Sequence, residues 1–447
     1  MSIIASFMVP HPPLIIEEVG KGNEKQVQKT IDSYYQIAEE ISSLNPETII
    51  ISSPHTTYYS DCFYVSGSSN VSGSFINFGA PEVTFNEEID IDLVDEIEKI
   101  SNKKGFPVKV EENTILDHGT MVPLYFIRKK LPKTKIIVVG LSTLPLITNY
   151  QFGSIINEAV NNTNRKVVFV ASGDLSHKLQ EYGPYGFIEE GPIYDKRIME
   201  TMSSKRFNEL LEYDEEFLDK AAECGHRSFT IMAGSFDGYD VEAKAYSHED
   251  VTGVGYGICS FYPKEKESSR LFKDIYLSSE DECVNLAKKS ITSYIKNQEI
   301  IKVPTNLPSY LLEDVSGAFV SIHKYGELRG CIGTILPTRD SLAEEIIYNA
   351  IAASTRDYRF SPITEEELED LEINVDVLST PEDIPSKEML NPKIYGVIVN
   401  QGYKRGLLLP DLEGIEDVDK QISIAKMKAG ITEGDVKLQR FKVIRHK

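Results

Sequence analysis

Four short apolar runs punctuate the first half of the chain: Ile3–Met8, Thr48–Ile51, Ile136–Leu141 and Val167–Ala171. None of them alternates with polar residues. An uninterrupted Ile- and Val-rich run is the pattern of a strand buried on both faces, in a sheet covered by helices. Between the first two runs, Val27, Ile31, Tyr34, Ala38 and Ile41 recur at helical spacing and predict a helix over Asn23–Ser43, stopped by Asn45-Pro46. A second stripe, Ile89, Leu93, Val94, Ile97 and Ile100, predicts a helix over Asn86–Ile100. Two more helices are expected at Arg197–Glu212 and Asp214–Cys224, and the run Gly255–Tyr262 closes the region. Apolar runs alternating with helices predict an α/β domain with a mostly parallel central sheet flanked by helices.

The texture changes after Pro263. The segment Pro263–Arg270 is polar and charged and reads as a linker between a domain at 1–262 and a second at 271–447. Beyond it, helices are expected at Ser279–Lys296, Arg339–Ser354 and Val418–Ala429, and short strands at Ala318–Ile322, Asn374–Leu378, Gly396–Asn400 and Arg405–Pro410. Strand and helix do not alternate regularly there, so the second domain reads as α+β. A chain of 447 residues exceeds one ordinary hydrophobic core, which agrees with two domains.

Composition narrows the partners. The formal net charge of −22 repels phosphate backbones and argues against nucleic acid. No apolar run approaches the roughly 18 residues of a membrane span, and the N-terminus lacks the basic and apolar regions of a signal peptide. The five cysteines, Cys62, Cys224, Cys259, Cys283 and Cys331, form no close-set pair, which argues against a disulfide framework and fits a reducing cytoplasm.

The histidines carry the chemistry. His11, His55 and His177 each follow closely on the end of an apolar run, in Val9-Pro10-His11-Pro12-Pro13, Ser52-Ser53-Pro54-His55 and Ser172-Gly173-Asp174-Leu175-Ser176-His177. Ligands of open α/β sheets bind beyond the carboxyl ends of parallel strands, so these loops can converge. Prolines beside His11 and His55 stiffen them. A fourth candidate is His118 in Leu116-Asp117-His118-Gly119, and a fifth cluster is Glu223-Cys224-Gly225-His226. Two imidazoles and one carboxylate make the facial set of non-haem Fe(II) oxygenases, so His11, His55 and Glu223 are the expected metal ligands, with Cys224 the rival to Glu223. The same residues also suit Zn.

Taken together, Pro10-His11-Pro12-Pro13, Ser53-Pro54-His55, Leu116-Asp117-His118-Gly119, Gly173-Asp174-Leu175-Ser176-His177 and Glu223-Cys224-Gly225 resemble the catalytic subunit of class III extradiol ring-cleavage dioxygenases, and the related Memo family. The resemblance implies Fe(II) held by His11, His55 and Glu223, a small aromatic, catechol-like substrate, His177 as acid/base and His118 as a hydrogen-bonding partner of substrate or oxygen. Memo-like proteins are similar in placing a cysteine at Cys224, which would favour a softer metal.

In the second half, Glu327-Leu328-Arg329-Gly330-Cys331-Ile332-Gly333 and Thr355-Arg356-Asp357-Tyr358-Arg359-Phe360-Ser361-Pro362 resemble the AMMECR1 domain. Arg329, Gly330, Cys331 and Gly333 are expected to form a tight turn that sets a guanidinium beside a thiol; the alternative is a small cysteine buried in a Gly-flanked strand. Arg356, Asp357 and Arg359 either line the same cleft or form a surface ion network. Domains of these two types resemble members of a set that includes a radical S-adenosylmethionine protein, which implies such a partner and a modification pathway as the competing function. Zinc-dependent hydrolysis with His177 as base is a third.

Overall fold

The structure is a computed structural model and describes residues 3–113, 115–266, 281–412 and 414–447. The chain divides into two compact units, Met1–Asp274 and Ile275–Lys447. The first unit runs β1 (Ile3–Val9), α1 (Glu17–Gly20), α2 (Gln28–Leu44), β2 (Thr48–Ser53), β3 (Phe63–Ser66), β4 (Asn70–Phe75), β5 (Ala80–Glu88), α3 (Ile91–Lys104), β6 (Val108–Glu111), α4 (His118–Arg128), β7 (Lys135–Gly140), α5 (Leu146–Thr163), β8 (Val167–Ser172), α6 (Glu190–Ser203), α7 (Glu215–Ala221), α8 (His226–Gly234), β9 (Tyr239–Glu249) and β10 (Tyr256–Lys266).

Eight strands make one sheet in the order β6-β3-β7-β2-β8-β1-β10-β9. The four apolar runs of the sequence are its centre, β7-β2-β8-β1, and they are mutually parallel. Every residue of β2 and β8 is buried, which is why these strands carry no polar alternation. Strands β10 and β9 extend the sheet antiparallel on one side, and β3 meets β7 antiparallel on the other. Helices flank it, α2 packing with α4 and α5 with α3 and α8. Because the central strands point the same way, the loops after β1, β2, β7 and β8 all leave from one edge.

Several expected boundaries move: the helix expected over Arg197–Glu212 is α6, which begins at Glu190 and ends at Ser203, and the one expected over Asp214–Cys224 is α7, which ends at Ala221. The helix expected over Asn86–Ile100 begins at Ile91, because residues 86–88 belong to β5, with Asn86 opposite Ser72 of β4. The expected linker loses its first four residues to β10, which pairs Pro263 with Val241 and Lys266 with Tyr239 across a register shift. A proline is tolerated where the ladder is already irregular. Residues 267–270 lie outside the described residues.

The second unit runs α9 (Glu282–Asn297), α10 (Ser309–Glu313), β11 (Ala318–Lys324), β12 (Glu327–Gly333), α11 (Leu342–Thr355), β13 (Leu371–Leu378), β14 (Glu382–Ile384), β15 (Gly396–Gln401), β16 (Lys404–Leu408), α12 (Val418–Lys428), β17 (Lys437–Phe441) and β18 (Val443–His446). Two antiparallel sheets, β12-β11-β13-β18 and β14-β17-β15-β16, make it an α+β unit. Leu286 and Ile291 of α9 and Ile346 and Ala350 of α11 share a core with Val320, Ile322 and Val375 on one face of the first sheet.

Helices α5 and α8 cross in backbone contact at two glycines. A Cβ on Gly153 would lie 1.9 Å from the carbonyl oxygen of Ile231, and one on Gly234 would lie 1.8 Å from that of Tyr150. The Gly153→Ala variant is therefore expected to lose about 1–3 kcal/mol of stability by overpacking, read as a lowered thermal midpoint; an unchanged midpoint would contradict the close crossing.

Candidate metal centre

Three loops at the carboxyl edge of the sheet build the site. After β1, the Tyr34 hydroxyl donates to the Pro10 carbonyl, and the His11 N–H donates to Asp174 Oδ1 at 2.7 Å. The His11 ring is buried, with Nδ1 2.9 Å from Ser172 Oγ at the end of β8. The Ser172 hydroxyl donates to the Gly119 carbonyl at 2.6 Å. A serine hydroxyl has one hydrogen to give, so His11 Nδ1 must be the donor in their contact, and Nε2 carries the free lone pair. That is the tautomer a metal ligand needs.

After β2, the His55 N–H donates to Ser53 Oγ at 3.2 Å, and the Ser53 hydroxyl donates to Asp117 Oδ1 at 2.6 Å. Asp117 caps α4 by accepting from Thr120 N, which sets His118 as the first helical residue. Gly119 permits the approach: a Cβ there would lie 2.4 Å from Ser53 Oγ and 3.4 Å from His55 Cδ2.

The ligand nitrogens of His11, His55 and His118 lie within 4.8 Å of one another, and His11 Nε2 and His55 Nε2 are 3.0 Å apart. Two nitrogens bonded to one ion at about 2.1 Å and at a right angle sit about 3.0 Å apart, so this pair fits adjacent positions of an octahedral site. The donors are also in the right charge state. Burial holds His11 well below the usual histidine range, with neighbouring His55, His118 and His177 adding to the effect. Burial and His118 push His55 down to about 4, and burial lowers His118 against the opposing Asp117 carboxylate.

His177, beyond β8, donates from Nδ1 to the Ala222 carbonyl at 2.5 Å. A carbonyl only accepts, so Nε2 is the basic nitrogen. Ala222 adopts φ 52° at the end of α7, and its carbonyl also receives the His177 backbone N–H. Burial lowers the pKa of His177. Exposed aromatic rings stand against the histidines: Phe78 is 5.4 Å from His118 and Tyr185 5.2 Å from His177, centroid to centroid.

Glu223 is not part of this set. Its carboxylate accepts from the His226 N–H at 2.5 Å, at the first turn of α8, and burial pushes it up to about 7. The unfilled amide at a helix start competes for the carboxylate, and the third group whose ligand atom lies within 4.8 Å of those of His11 and His55 is His118. Cys224 stays close, its Sγ 3.6 Å from His11 Nε2, and accepts from Asp174 N–H. Burial raises its thiol well above the usual range. His226 is buried beneath, donating from Nε2 to the Leu210 carbonyl. The signal for His118 was present in the sequence: an Asp that caps a helix fixes the next side chain on that helix.

In the second unit Arg329–Gly333 lie on strand β12, so of the two expectations the Gly-flanked strand holds and the tight turn does not, with Cys331 half-buried rather than buried. Arg329 does not face the thiol; its guanidinium engages Glu367 at 2.9 Å and the Ser361 carbonyl at 2.7 Å. Cys331 is gripped through its backbone, N–H to Asp357 Oδ2 at 2.9 Å and carbonyl from Arg359 Nη2 at 3.2 Å. Asp357 and Arg359 form an ion pair, while Arg356 stands exposed at the end of α11.

Comparison with known proteins agrees with both halves. Residues 5–259 match the family described as the catalytic LigB subunit of aromatic ring-opening dioxygenase, and residues 284–446 match AMMECR1. A Clostridium acetobutylicum protein is 39% identical over the full length of both chains. A Thermotoga maritima protein is 49% identical over 167 residues, 37% of this chain and 96% of its own. Among solved structures, an uncharacterized Pyrococcus horikoshii protein covers 36% of this chain and 88% of its own at 31% identity and a TM-score of 0.35.

Two outcomes follow from the hydrogen bonds and the buried imidazoles. Ser172→Ala removes the acceptor that fixes the His11 tautomer and is expected to weaken metal binding about 10–100-fold, measured by chelator competition; unchanged affinity would contradict the role given to Ser172. Between pH 6.5 and 4 the unfolded chain, with histidines near 6.5, takes up a proton that buried His226, lowered to about 4, refuses, while Glu223 and Asp174, both raised to about 7, act in the opposite sense. The His226→Gln variant of the metal-free protein is therefore expected to lose less stability than the unmodified chain as pH falls across that window, read as the thermal midpoint at each pH. An identical slope in both chains would contradict a buried, neutral His226.

Proposed function

We propose a function from one premise: the chain belongs to the family of the catalytic LigB subunit of aromatic ring-opening dioxygenases, joined to an AMMECR1 domain. The proposed activity is that of a metal-dependent, dioxygenase-like oxidoreductase acting on a small catechol-like molecule. The observation that carries it is the convergence of the His11, His55 and His118 ligand nitrogens within 4.8 Å at the carboxyl edge of the parallel strands.

The three imidazoles would hold the ion from one side and leave its other face to substrate. Fe(II) held by them would supply the redox chemistry for O₂ and would make the phenolic hydroxyls of a catechol more acidic. His177, with Nε2 unprotonated, accepts the proton of a phenolic oxygen and holds it for return to the opened product. Phe78 and Tyr185 give an aromatic ring apolar walls and exclude water from its faces.

A second reading rests on Cys224, whose Sγ lies 3.6 Å from His11 Nε2. A thiol at the edge of an imidazole set suits a softer ion. On that reading the centre serves a modification system with a radical S-adenosylmethionine partner rather than oxygen chemistry. Three imidazoles also suit a zinc-bound water with His177 as base, a hydrolytic centre.

Chain purified and loaded anaerobically is expected to bind about one Fe(II) and to consume O₂ with catechol. His177→Gln should keep the iron and lose about 10²–10⁴-fold in turnover, whereas His55→Ala should lose the iron. Full iron loading with no O₂ uptake on catechols, and zinc as the metal the protein carries when purified, would overturn the dioxygenase reading in favour of the others.

A further inference from the structure

One face of the first sheet in the second unit is left with chemistry that its core does not use. Ala318, Val320 and Ile322 of β11 and Ile373 and Val375 of β13 face the helices. Phe319, Ser321 and His323 therefore face the other way, with Glu372, Asn374 and Asp376 beside them on β13 and Cys331 on β12. At one end this face is closed: Phe319 and Val443 pack with Ile398 and Leu407 of the second sheet around Leu378 and Phe441. Beyond Phe319 the packed cover stops: the next row, Cys331–Ser321–Asn374, is half-buried, and the one after it sets half-buried His323 and Glu372 beside an exposed Leu328.

Several features set this patch apart from an ordinary sheet surface. Ser321 Oγ–H donates to Cys331 Sγ at 3.2 Å, a bond that stabilises developing charge on sulfur. Both backbone groups of Cys331 on the open edge of β12 are held by the Asp357–Arg359 pair, so the thiol is fixed without a neighbouring strand. The register slips at Arg329, where one step on β11 spans two residues of β12, a bulge beside the cysteine. Glu372 Oε1 is buried and has no hydrogen-bond partner among the described residues. An unmatched buried acceptor is costly unless something donates to it. His323 lies diagonally across from Cys331 on the same face, a separation that side chains span.

We propose that this patch is a second site, a nucleophilic-thiol centre for a small activated acyl compound (an ester or thioester) that carries an amine or amide N–H. Cys331 sulfur attacks the carbonyl carbon. The thiol proton passes to His323, the sulfur–carbon bond forms, and the ester or thioester bond breaks. The leaving alcohol or thiol takes the proton back from His323, and the acyl group stays on Cys331 as a thioester. Ser321 O–H donates to the sulfur before attack, and Glu372 receives the N–H of the acyl group. Burial raises the thiols of Cys62, Cys259 and Cys283 and makes them poorer competitors.

The full chain is treated with p-nitrophenyl acetate and with p-nitrophenyl glycinate, and acylation is mapped by peptide mass spectrometry. The expected result is about one acyl group per chain, on Cys331, none there in Cys331→Ser, and about tenfold slower acylation in Ser321→Ala and in His323→Gln. The glycyl ester should react faster than the acetyl ester in the unmodified chain but not in Glu372→Gln. Acylation of Cys62 or Cys224 ahead of Cys331 would overturn the site. So would rates at Cys331 that neither Ser321→Ala nor His323→Gln changes, with circular dichroism showing both variants folded.

Discussion

The Ser172 hydroxyl has one hydrogen, and it goes to the Gly119 carbonyl. That direction decides the ligand lone pair of His11, at the centre of the first site. It forces His11 to donate from Nδ1 and leaves Nε2 bare toward His55, 3.0 Å away. The same bond ties the end of β8 to the first turn of α4, where His118 begins the helix. One hydroxyl therefore sets the tautomer of one imidazole and the position of another. Ser53 does the parallel work for His55, through Asp117. In both loops a serine at the end of an apolar strand holds a histidine in place, which explains why Ser53 and Ser172 stand where β2 and β8 finish.

The architecture was legible where the physics is local. Runs buried on both faces have no polar alternation, so β1, β2, β7 and β8 could be read from their uninterrupted apolar runs, and with them the sheet edge that carries His11, His55 and His177. The place of Glu223 was harder. It has the right chemistry for a facial set, but its carboxylate accepts from the open amide of His226 at the start of α8. Which of two nearby acceptors a backbone donor takes is a tertiary matter that spacing does not encode. His118 carried a local signal in Asp117, the cap before it, yet its distance from His55 depends on Gly119 admitting a contact that any Cβ would block.

The second unit was legible in its elements and misleading at its marker motif. Arg329-Gly330-Cys331-Ile332-Gly333 suggests a turn by its glycines, but Gly330 is there because the Ala353 carbonyl of α11 would lie 2.3 Å from a Cβ, and Gly333 because Phe319 covers it. These glycines answer close packing on a strand rather than positive backbone angles. The guanidinium that comes near the cysteine belongs to Arg359, not to Arg329, because the bulge turns Arg329 toward Glu367.

The most direct test of the central claim is an anomalous-difference map from crystals of the metal-loaded protein, collected on either side of the iron edge. The account predicts one strong peak bonded to ring nitrogens of His11, His55 and His118 at about 2.1 Å, with the Glu223 carboxylate still on the His226 amide. A peak bonded to Glu223 in place of His118, or an ion held away from the three imidazoles, would contradict it.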